Sequence, residues 1–242
     1  GLGRLPQTLA ARGRFMVRTS CPVRRVERRP DGRFTLHVGA MPASTAVEAD
    51  AVVVAVPAGK AAALLRELAP AAARDLAMVR TASVAIVSLA LPGAASLPGG
   101  SGLLVPAGRG FAVKGVTISS QKWPGAPADL AFVRASLGRI GEEAVLQRED
   151  AELVALAVGE LEPLLGTAVR PVDTLVTRWG GGLPQYDVGH LDRVARIRTA
   201  AAAVPGLAVA GATYDGLGIP ACIASGRSAA DRVIAELARR GQ

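Results

Sequence analysis

The stretch GLAVAGATYDGLGIP, residues 206–220, decides the fold that we predict for this chain. Its first six residues form a short apolar run typical of a buried strand, and a helical pattern follows at 222–240. Gly211, Gly216 and Gly218 surround the junction between the two. Such a junction gathers backbone N–H groups and the positive end of a helix dipole, which together stabilise an anionic or electron-accepting ligand. A plain turn whose glycines supply positive φ explains the same residues equally well.

A second strand-to-helix step lies in the first part of the chain. ADAVVVAVP at 49–57 is a nearly continuous apolar run that suits a strand covered by helices, and KAAALLREL at 60–68 predicts a helix. Upstream, LPQTLAARG at 5–13 predicts a helix. FMVRTS, PVRRVERR and RFTLHVG predict strands, with a hairpin at Asp31 and Gly32. In the last helix we expect an inner stripe formed by Ile223, Ala230, Val233, Ile234 and Leu237.

The middle of the chain has a different pattern. SVAIVSLAL (83–91), AVKGVTISS (112–120) and LAFVRASLG (130–138) alternate as half-buried strands do, residues 150–166 predict a helix, and RPVDTLVTRW predicts a strand that ends at Trp179. We therefore predict an α/β (α+β) protein. An α/β domain is built from both ends of the chain, residues 1–79 and 191–242, and an antiparallel-sheet domain, residues 80–190, is inserted between them.

Composition excludes several classes of function. The 28 basic and 20 acidic residues give a net charge of +8, but the arginines are scattered and aromatic residues make up only 3%. Scattered charge with few rings for stacking argues against a nucleic-acid partner. The longest uncharged apolar run, residues 51–59, is far shorter than the roughly 20 residues of a spanning helix, so we predict no transmembrane segment. Cys21 and Cys222 have no disulfide or metal-site spacing, which favours a reduced, cytoplasmic protein without a metal.

The segment RWGGGLPQYDVGH, residues 178–190, concentrates rare residue types. Trp179 and Tyr186 can flank an aromatic ligand, or they can plug a domain junction. His190 has no Ser, Cys or carboxylate at a spacing that builds a proton relay, so we interpret it as structural. A GxGxxG fingerprint is absent, because Pro6 occupies the third glycine's place in GLGRLP. A dinucleotide would therefore need a further segment to complete its site.

Several strings together resemble one family. They are GLGRLPQTLA, SGLLVP, SSQKWPG, FVRASLGR, RWGGGLPQYDVGHLDRVARI and PGLAVAGATYDGLGIPACIASGRSAADRV, in this order along the chain. They are similar to the C-terminal portion of the FAD-dependent porphyrinogen oxidases of haem synthesis, which act on protoporphyrinogen or coproporphyrinogen III. The W-x4-PQY-x2-GH and G-x-G-x-P-x-CI-x2-G patterns are specific in combination.

The resemblance implies an oxidase that uses FAD. In the family, FAD takes a hydride from the porphyrinogen and oxygen reoxidises the flavin to give hydrogen peroxide, so the partners are a porphyrinogen and oxygen. Hydride transfer to a flavin depends on placement more than on an acid–base relay. The two ends of the chain would then form a partial FAD-binding domain, and the inserted domain would bind the substrate.

The resemblance also implies site residues. Val23 matches a residue whose backbone lies against the adenine side of FAD, Trp179 matches a flavin-contacting tryptophan, and Leu217, Gly218 and Ile219 match the segment that meets the flavin. The substrate's propionates call for a basic residue. The candidates are Arg134, Arg139, Lys114 and Lys122, of which we select Arg134 and Lys122 as the substrate-binding pair.

The departures from the family pattern leave alternatives open. The family's N-terminal strand and GxGxxG turn are absent, as is the helical segment with which some members touch membranes, so we expect a fragment whose full-length form carries any peripheral membrane contact. A non-catalytic fragment that binds a porphyrin or a partner is one alternative. A relative of the flavin amine oxidases or desaturases is another, and the PQY-x2-GH string argues against it.

Overall fold

The computed structural model describes residues 2–40, 43–93, 97–123, 125 and 127–240, so Pro124 of the SSQKWPG segment lies outside the described residues. The chain forms two compact units. One, the terminal unit, comprises Gly1–Arg80 and Pro184–Gln242; the other, the inserted unit, comprises Thr81–Leu183. The functional assignment of the predicted domains, 1–79 with 191–242 and 80–190, stays a prediction.

The terminal unit contains the α/β layer that the sequence predicts. Strand β10 (Leu207–Val209) pairs in parallel with β4 (Val52–Val54). Successive residues of each strand face opposite sides of the sheet. One face packs against α2 (Ala58–Leu65), α3 (Pro70–Ala77) and α6 (His190–Ala202), and the other packs against α7 (Ile219–Arg240). The sheet is thus covered by helices on both faces, which explains its continuous apolar strands.

A second, antiparallel sheet belongs to the same unit. It has the order β1 (Val23–Arg28), β2 (Phe34–Val38) and β3 (Thr45–Ala49). The predicted hairpin at Asp31 and Gly32 is confirmed, because Gly32 has φ +83° and its N–H donates to the Arg29 carbonyl at 3.0 Å. Helix α1 (Arg4–Arg12) precedes this sheet and has no buried residue.

The inserted unit is a five-stranded sheet with one helical cover. Its strands are β5 (Thr81–Pro92), β6 (Gly102–Leu104), β7 (Val113–Ile118), β8 (Leu130–Leu137) and β9 (Asp173–Pro184), in the order β6-β7-β8-β5-β9. A short helix α4 (Ser119–Lys122) follows β7, and a 3₁₀ helix spans Glu143–Gln147. Helix α5 (Asp150–Leu165) packs its leucines against one sheet face.

The ends of α5 follow the sequence signals closely. The Glu149 side chain accepts from the backbone of Glu152, whose own side chain accepts from the Glu149 N–H, which forms a capping box. At the other end Gly166 has φ +67° and closes the helix in the left-handed conformation. The predicted helix at 150–166 is therefore confirmed.

Four local predictions were wrong. Residues 15–20 form no strand, and the run 49–57 is divided between β3 and β4, which belong to different sheets. Strand β9 does not end at Trp179 but continues to Pro184. The buried face of α7 consists of Ser225, Ala229 and Val233, while Ile223 and Ile234 of the predicted stripe are exposed.

Candidate functional site

The turn between β10 and α7, residues 211–218, is the centre of the candidate site. Gly211 and Gly216 have φ values of +113° and +148°, a backbone region that L side chains rarely adopt. Helix α7 begins at Ile219, and Pro220 lies in its first turn, where a missing N–H costs little. The glycines at 211 and 216 are therefore required by the path of the backbone.

Side chains from several elements hold this turn. The Tyr186 hydroxyl donates to the Ala212 carbonyl, and Nε2 of His190 lies 3.2 Å from the Tyr214 carbonyl oxygen. Since a carbonyl only accepts, Nε2 must carry the hydrogen. The two rings are stacked, with centroids 4.3 Å apart. Burial is the main cause that raises the pKa of the Tyr186 phenol, so the hydroxyl keeps its proton and remains a donor.

Helices α6 and α7 hold the same turn from two further directions. Arg198 forms a bidentate ion pair with Asp215, in which Nη1 lies 2.9 Å from Oδ1. The buried Ser225 hydroxyl accepts from the Gly211 N–H at 3.2 Å. Tyr214 itself is fully buried in the core. The turn is therefore fixed by side chains before any ligand arrives.

The end of the turn is exposed. Leu217 is 47% and Ile219 41% exposed, and Gly218 between them is exposed as well. Within the described residues, the N–H groups of Leu217, Gly218 and Ile219 have no hydrogen-bond partner. A Cβ placed on Gly218 would meet only Pro220 Cδ, at 3.7 Å. The fold therefore does not need glycine at 218.

These features fit a flavin. Three consecutive free donors at a helix start can hold the carbonyl and nitrogen acceptors of an isoalloxazine ring, and exposed apolar side chains on both sides can contact its faces. Leu217, Gly218 and Ile219, which the resemblance predicts to meet the flavin, are thus accessible to a ligand. Val23 lies in the same unit, half-exposed at the start of β1.

Trp179 lies in the inserted unit, within β9, and its side chain is 58% exposed. It is therefore not a core residue of that unit. The strand continues past it because Gly181 adopts φ +59° and donates its N–H to the Ser83 hydroxyl at 3.0 Å. Its predicted contact with a flavin stays a prediction.

Arg134 lies on the sheet face of the inserted unit opposite α5. Its neighbours across the central strand β8 are Ser88 on β5 and Thr117 on β7. Core residues alternate with it along β8, so its exposed side chain points away from the core. Among the described residues the Arg134 guanidinium has no hydrogen-bond or ion-pair partner. An unpaired cation between two hydroxyl-bearing neighbours suits a carboxylate.

The other basic candidates differ in their surroundings. Arg139 donates to the carbonyls of Val105, Phe111 and Val113, and Lys114 donates to the Gly138 carbonyl. Burial, and then the Arg139 charge, lower the pKa of Lys114. Both side chains are thus engaged inside the unit. Lys122 ends the short helix α4 and is exposed.

Sequence reasoning missed the supporting residues. Arg198 and Ser225 carry no motif, and only the packing of α6 and α7 around the turn brings them to it. Ser88 and Thr117 were within reach, since alternation along β5 and β7 places them on the sheet face opposite α5. Their position beside Arg134 required the strand register, which one sequence does not supply.

Two further features, a membrane-spanning helix and a metal-binding cluster, are absent from the described residues. Their helices include none with the length and apolar character needed to cross a bilayer. No group of three or more His, Cys, Asp and Glu side chains in the described ranges is arranged to hold a metal ion.

Comparison with known proteins gives consistent relatives. The model of the flavin containing amine oxidoreductases matches residues 1–234. Coproporphyrinogen III oxidase of Mycobacterium leprae is 41% identical over 191 residues, which are 79% of this chain and 42% of that protein. Coproporphyrinogen III oxidase of Bacillus subtilis is 36% identical over 121 residues, 49% of this chain and 26% of that protein.

Solved structures agree on the fold. A crystal structure assigned as a protoporphyrinogen oxidase of Exiguobacterium sp. 255-15 has a TM-score of 0.83 and 30% identity, over 98% of this chain and 51% of that one. Cyclohexylamine oxidase from Brevibacterium oxydans IH-35A, at 17% identity and a TM-score of 0.69 over 98% of this chain and 53% of that one, shares the fold. The chain therefore spans about half, or less, of the length of the relatives that it matches.

Proposed function

The chain belongs to the flavin containing amine oxidoreductase family, and on that premise we propose that it takes part in the FAD-dependent oxidation of a porphyrinogen to a porphyrin in haem synthesis. One observation carries the proposal. The N–H groups of Leu217, Gly218 and Ile219 are free and exposed at the end of a turn that is fixed from several sides. When bound, FAD supplies a two-electron acceptor for a hydride, with oxygen as the final acceptor.

In this proposal the chain's own residues bind and orient the flavin. Leu217, Gly218 and Ile219 hold the flavin ring, and Val23 lies on the adenine side, while the flavin contact of Trp179 stays a separate prediction. A fixed set of donors binds without first having to order its backbone, and this lowers the cost of binding. The proposal needs no acid–base relay, which agrees with the burial of His190 and its bond to a carbonyl.

The substrate class follows from the relatives and from Arg134. Coproporphyrinogen III, the substrate named for the curated relatives, carries four propionate groups, and the free Arg134 guanidinium is suited to one of them. Ser88 and Thr117 can add hydroxyl donors on either side. Lys122 is a second candidate for a propionate. The apolar side chains of Ile86 and Phe132 lie on the same sheet face and can contact the macrocycle.

The test is aerobic oxidation of coproporphyrinogen III by the chain with added FAD, followed through porphyrin fluorescence. We expect Arg134→Gln to raise KM about tenfold, because one charge-assisted hydrogen bond is lost. Arg109→Gln is the matched control, since Arg109 is also exposed and without a partner among the described residues of the same unit. With coproporphyrin tetramethyl ester as a binding probe, Arg134→Gln and wild type should bind alike.

A non-catalytic fragment remains the second candidate. Binding of coproporphyrin without flavin-dependent oxidation would support this candidate. Equal KM values for Arg134→Gln and Arg109→Gln would exclude Arg134 from the substrate site.

A further inference from the structure

Tyr186 and His190 contact the turn in a way that ordinary core packing does not require. They stand four residues apart, on either side of Gly189, whose φ of +80° starts α6. Each ring directs its polar atom at a main-chain carbonyl of the turn, Ala212 for Tyr186 and Tyr214 for His190. Both bonds thus act on carbonyls two residues apart, at the two ends of the three-residue segment 212–214.

The two bonds determine which way the turn's amides point. In a trans peptide the C=O of one residue and the N–H of the next point in opposite directions. With the Ala212 and Tyr214 carbonyls directed at the two rings, the N–H groups of Thr213 and Asp215 point away from them. The backbone entering Gly216 therefore has one orientation, and Gly216 and the free donors at 217–219 continue from it.

His190, the buried member of the pair, is held in place by the core. His190 is 6% exposed, and the α6 residues that follow on its inner face, Val194 and Ile197, are buried in the core of the terminal unit. The Arg198–Asp215 ion pair connects the same helix to the turn two turns of helix later. The His190 imidazole is therefore buried, and its Nε2 is already bonded to the Tyr214 carbonyl.

We propose that Tyr186 and His190 are positioning residues, which hold the 212–219 backbone in the conformation that presents its free N–H groups to the flavin. This rests on the proposed function for the identity of the ligand, but the positioning itself does not. Neither ring is catalytic in this proposal, because each acts through the main chain. The conspicuous PQY-x2-GH string is then explained by its contacts with a segment 26 and 24 residues further along the chain.

The experiment measures amide hydrogen exchange in the 242-residue chain without flavin, and then its affinity for FAD. Tyr186→Phe and His190→Leu should each speed exchange of the Gly211 and Tyr214 amides, which donate to the Ser225 hydroxyl and the Gly211 carbonyl, about tenfold, as expected when the turn loses one hydrogen bond that holds it. His190→Gln should restore most of the protection, because its amide N–H can donate to the Tyr214 carbonyl. Val194→Ala is the control, since it weakens the same buried face of α6 and leaves both bonds in place.

The affinity for FAD is compared only among variants that have similar melting temperatures. We expect FAD to bind about tenfold more weakly to His190→Leu than to Val194→Ala, and His190→Gln to bind as wild type does. The proposal is overturned if the Gly211 and Tyr214 amides of His190→Leu exchange no faster than those of Val194→Ala, or if His190→Leu binds FAD as tightly as Val194→Ala does. If the wild-type chain binds no FAD, the proposed function fails, while the exchange data still decide whether the pair positions the turn.

Discussion

At the scale of single residues, two glycines of the turn, Gly216 and Gly218, differ in why the position holds glycine. Gly216 has φ +148°, and a Cβ there would lie 3.0 Å from the Ala221 Cβ. Gly218 has no such φ, and its Cβ would meet one atom at ordinary van der Waals distance. The fold accounts for the first glycine, and it does not require the second.

This difference predicts unequal losses of stability. Gly216→Ala should lower the free energy of unfolding by about 1–2 kcal/mol, because alanine is strained at that φ. Gly218→Ala should change it by less than about 0.5 kcal/mol. Urea unfolding of the two variants beside the wild-type chain measures both values. A larger loss for Gly218→Ala than for Gly216→Ala would show that 218 has a structural role that the fold does not reveal.

At the scale of elements, α3 and α6 are joined by a well-defined ion pair. Arg196 on α6 contacts Asp75 on α3 through two bonds, with Nη2 2.7 Å from Oδ1 and Nε 3.1 Å from Oδ2. The Arg196 hydrogen bond lowers the pKa of Asp75, and desolvation of this largely buried carboxyl opposes the shift without cancelling it. A carboxyl with a lowered pKa in the folded state stabilises that state at any pH above its unfolded value.

The pH dependence of this pair is therefore predictable. Asp75→Asn should cost about 1 kcal/mol at pH 7, and the difference from wild type should shrink as the pH falls below about 4, through the lowered pKa of Asp75. Thermal unfolding between pH 2.5 and pH 7 measures it. Asp231→Asn is the control, because Asp231 is exposed on α7 and has no partner within the described residues. A difference that stays constant down to pH 2.5 would contradict the assignment.

The helices also show what a sequence pattern can predict. The bounds of α5 followed from its cap residues and Gly166, which act locally. The buried face of α7 did not, because the large apolar residues Ile223 and Ile234 were assumed to face inward. Instead, the small residues Ser225 and Ala229 of the helix face β10. The side chains of the sheet are also small there, so the helix packs closely and has little room for large side chains on that face.

At the scale of the whole molecule, the division into an α/β part from both chain ends and an inserted antiparallel part was predictable, because continuous apolar strands and alternating strands have different periods. Between Ala49 and Val52 the chain leaves the antiparallel sheet and enters the parallel one. This step was not predictable, because both strands contribute to one continuous apolar run. The residue contacts that fix the 211–218 turn were not predictable either, because they depend on packing between distant segments. The resemblance predicts the segment Leu217–Ile219 as the flavin contact, and this role stays a prediction.

The most direct test of the central claim is titration of the wild-type chain with FAD, followed by flavin absorbance and fluorescence. Gly218→Val is compared with Gly226→Val, a position on α7 where an added Cβ meets no atom within 4 Å. We predict that the wild-type chain and Gly226→Val bind FAD and that Gly218→Val binds it at least about tenfold more weakly while remaining folded. Equal FAD affinity for Gly218→Val and Gly226→Val, or no binding by the wild-type chain, would contradict the account.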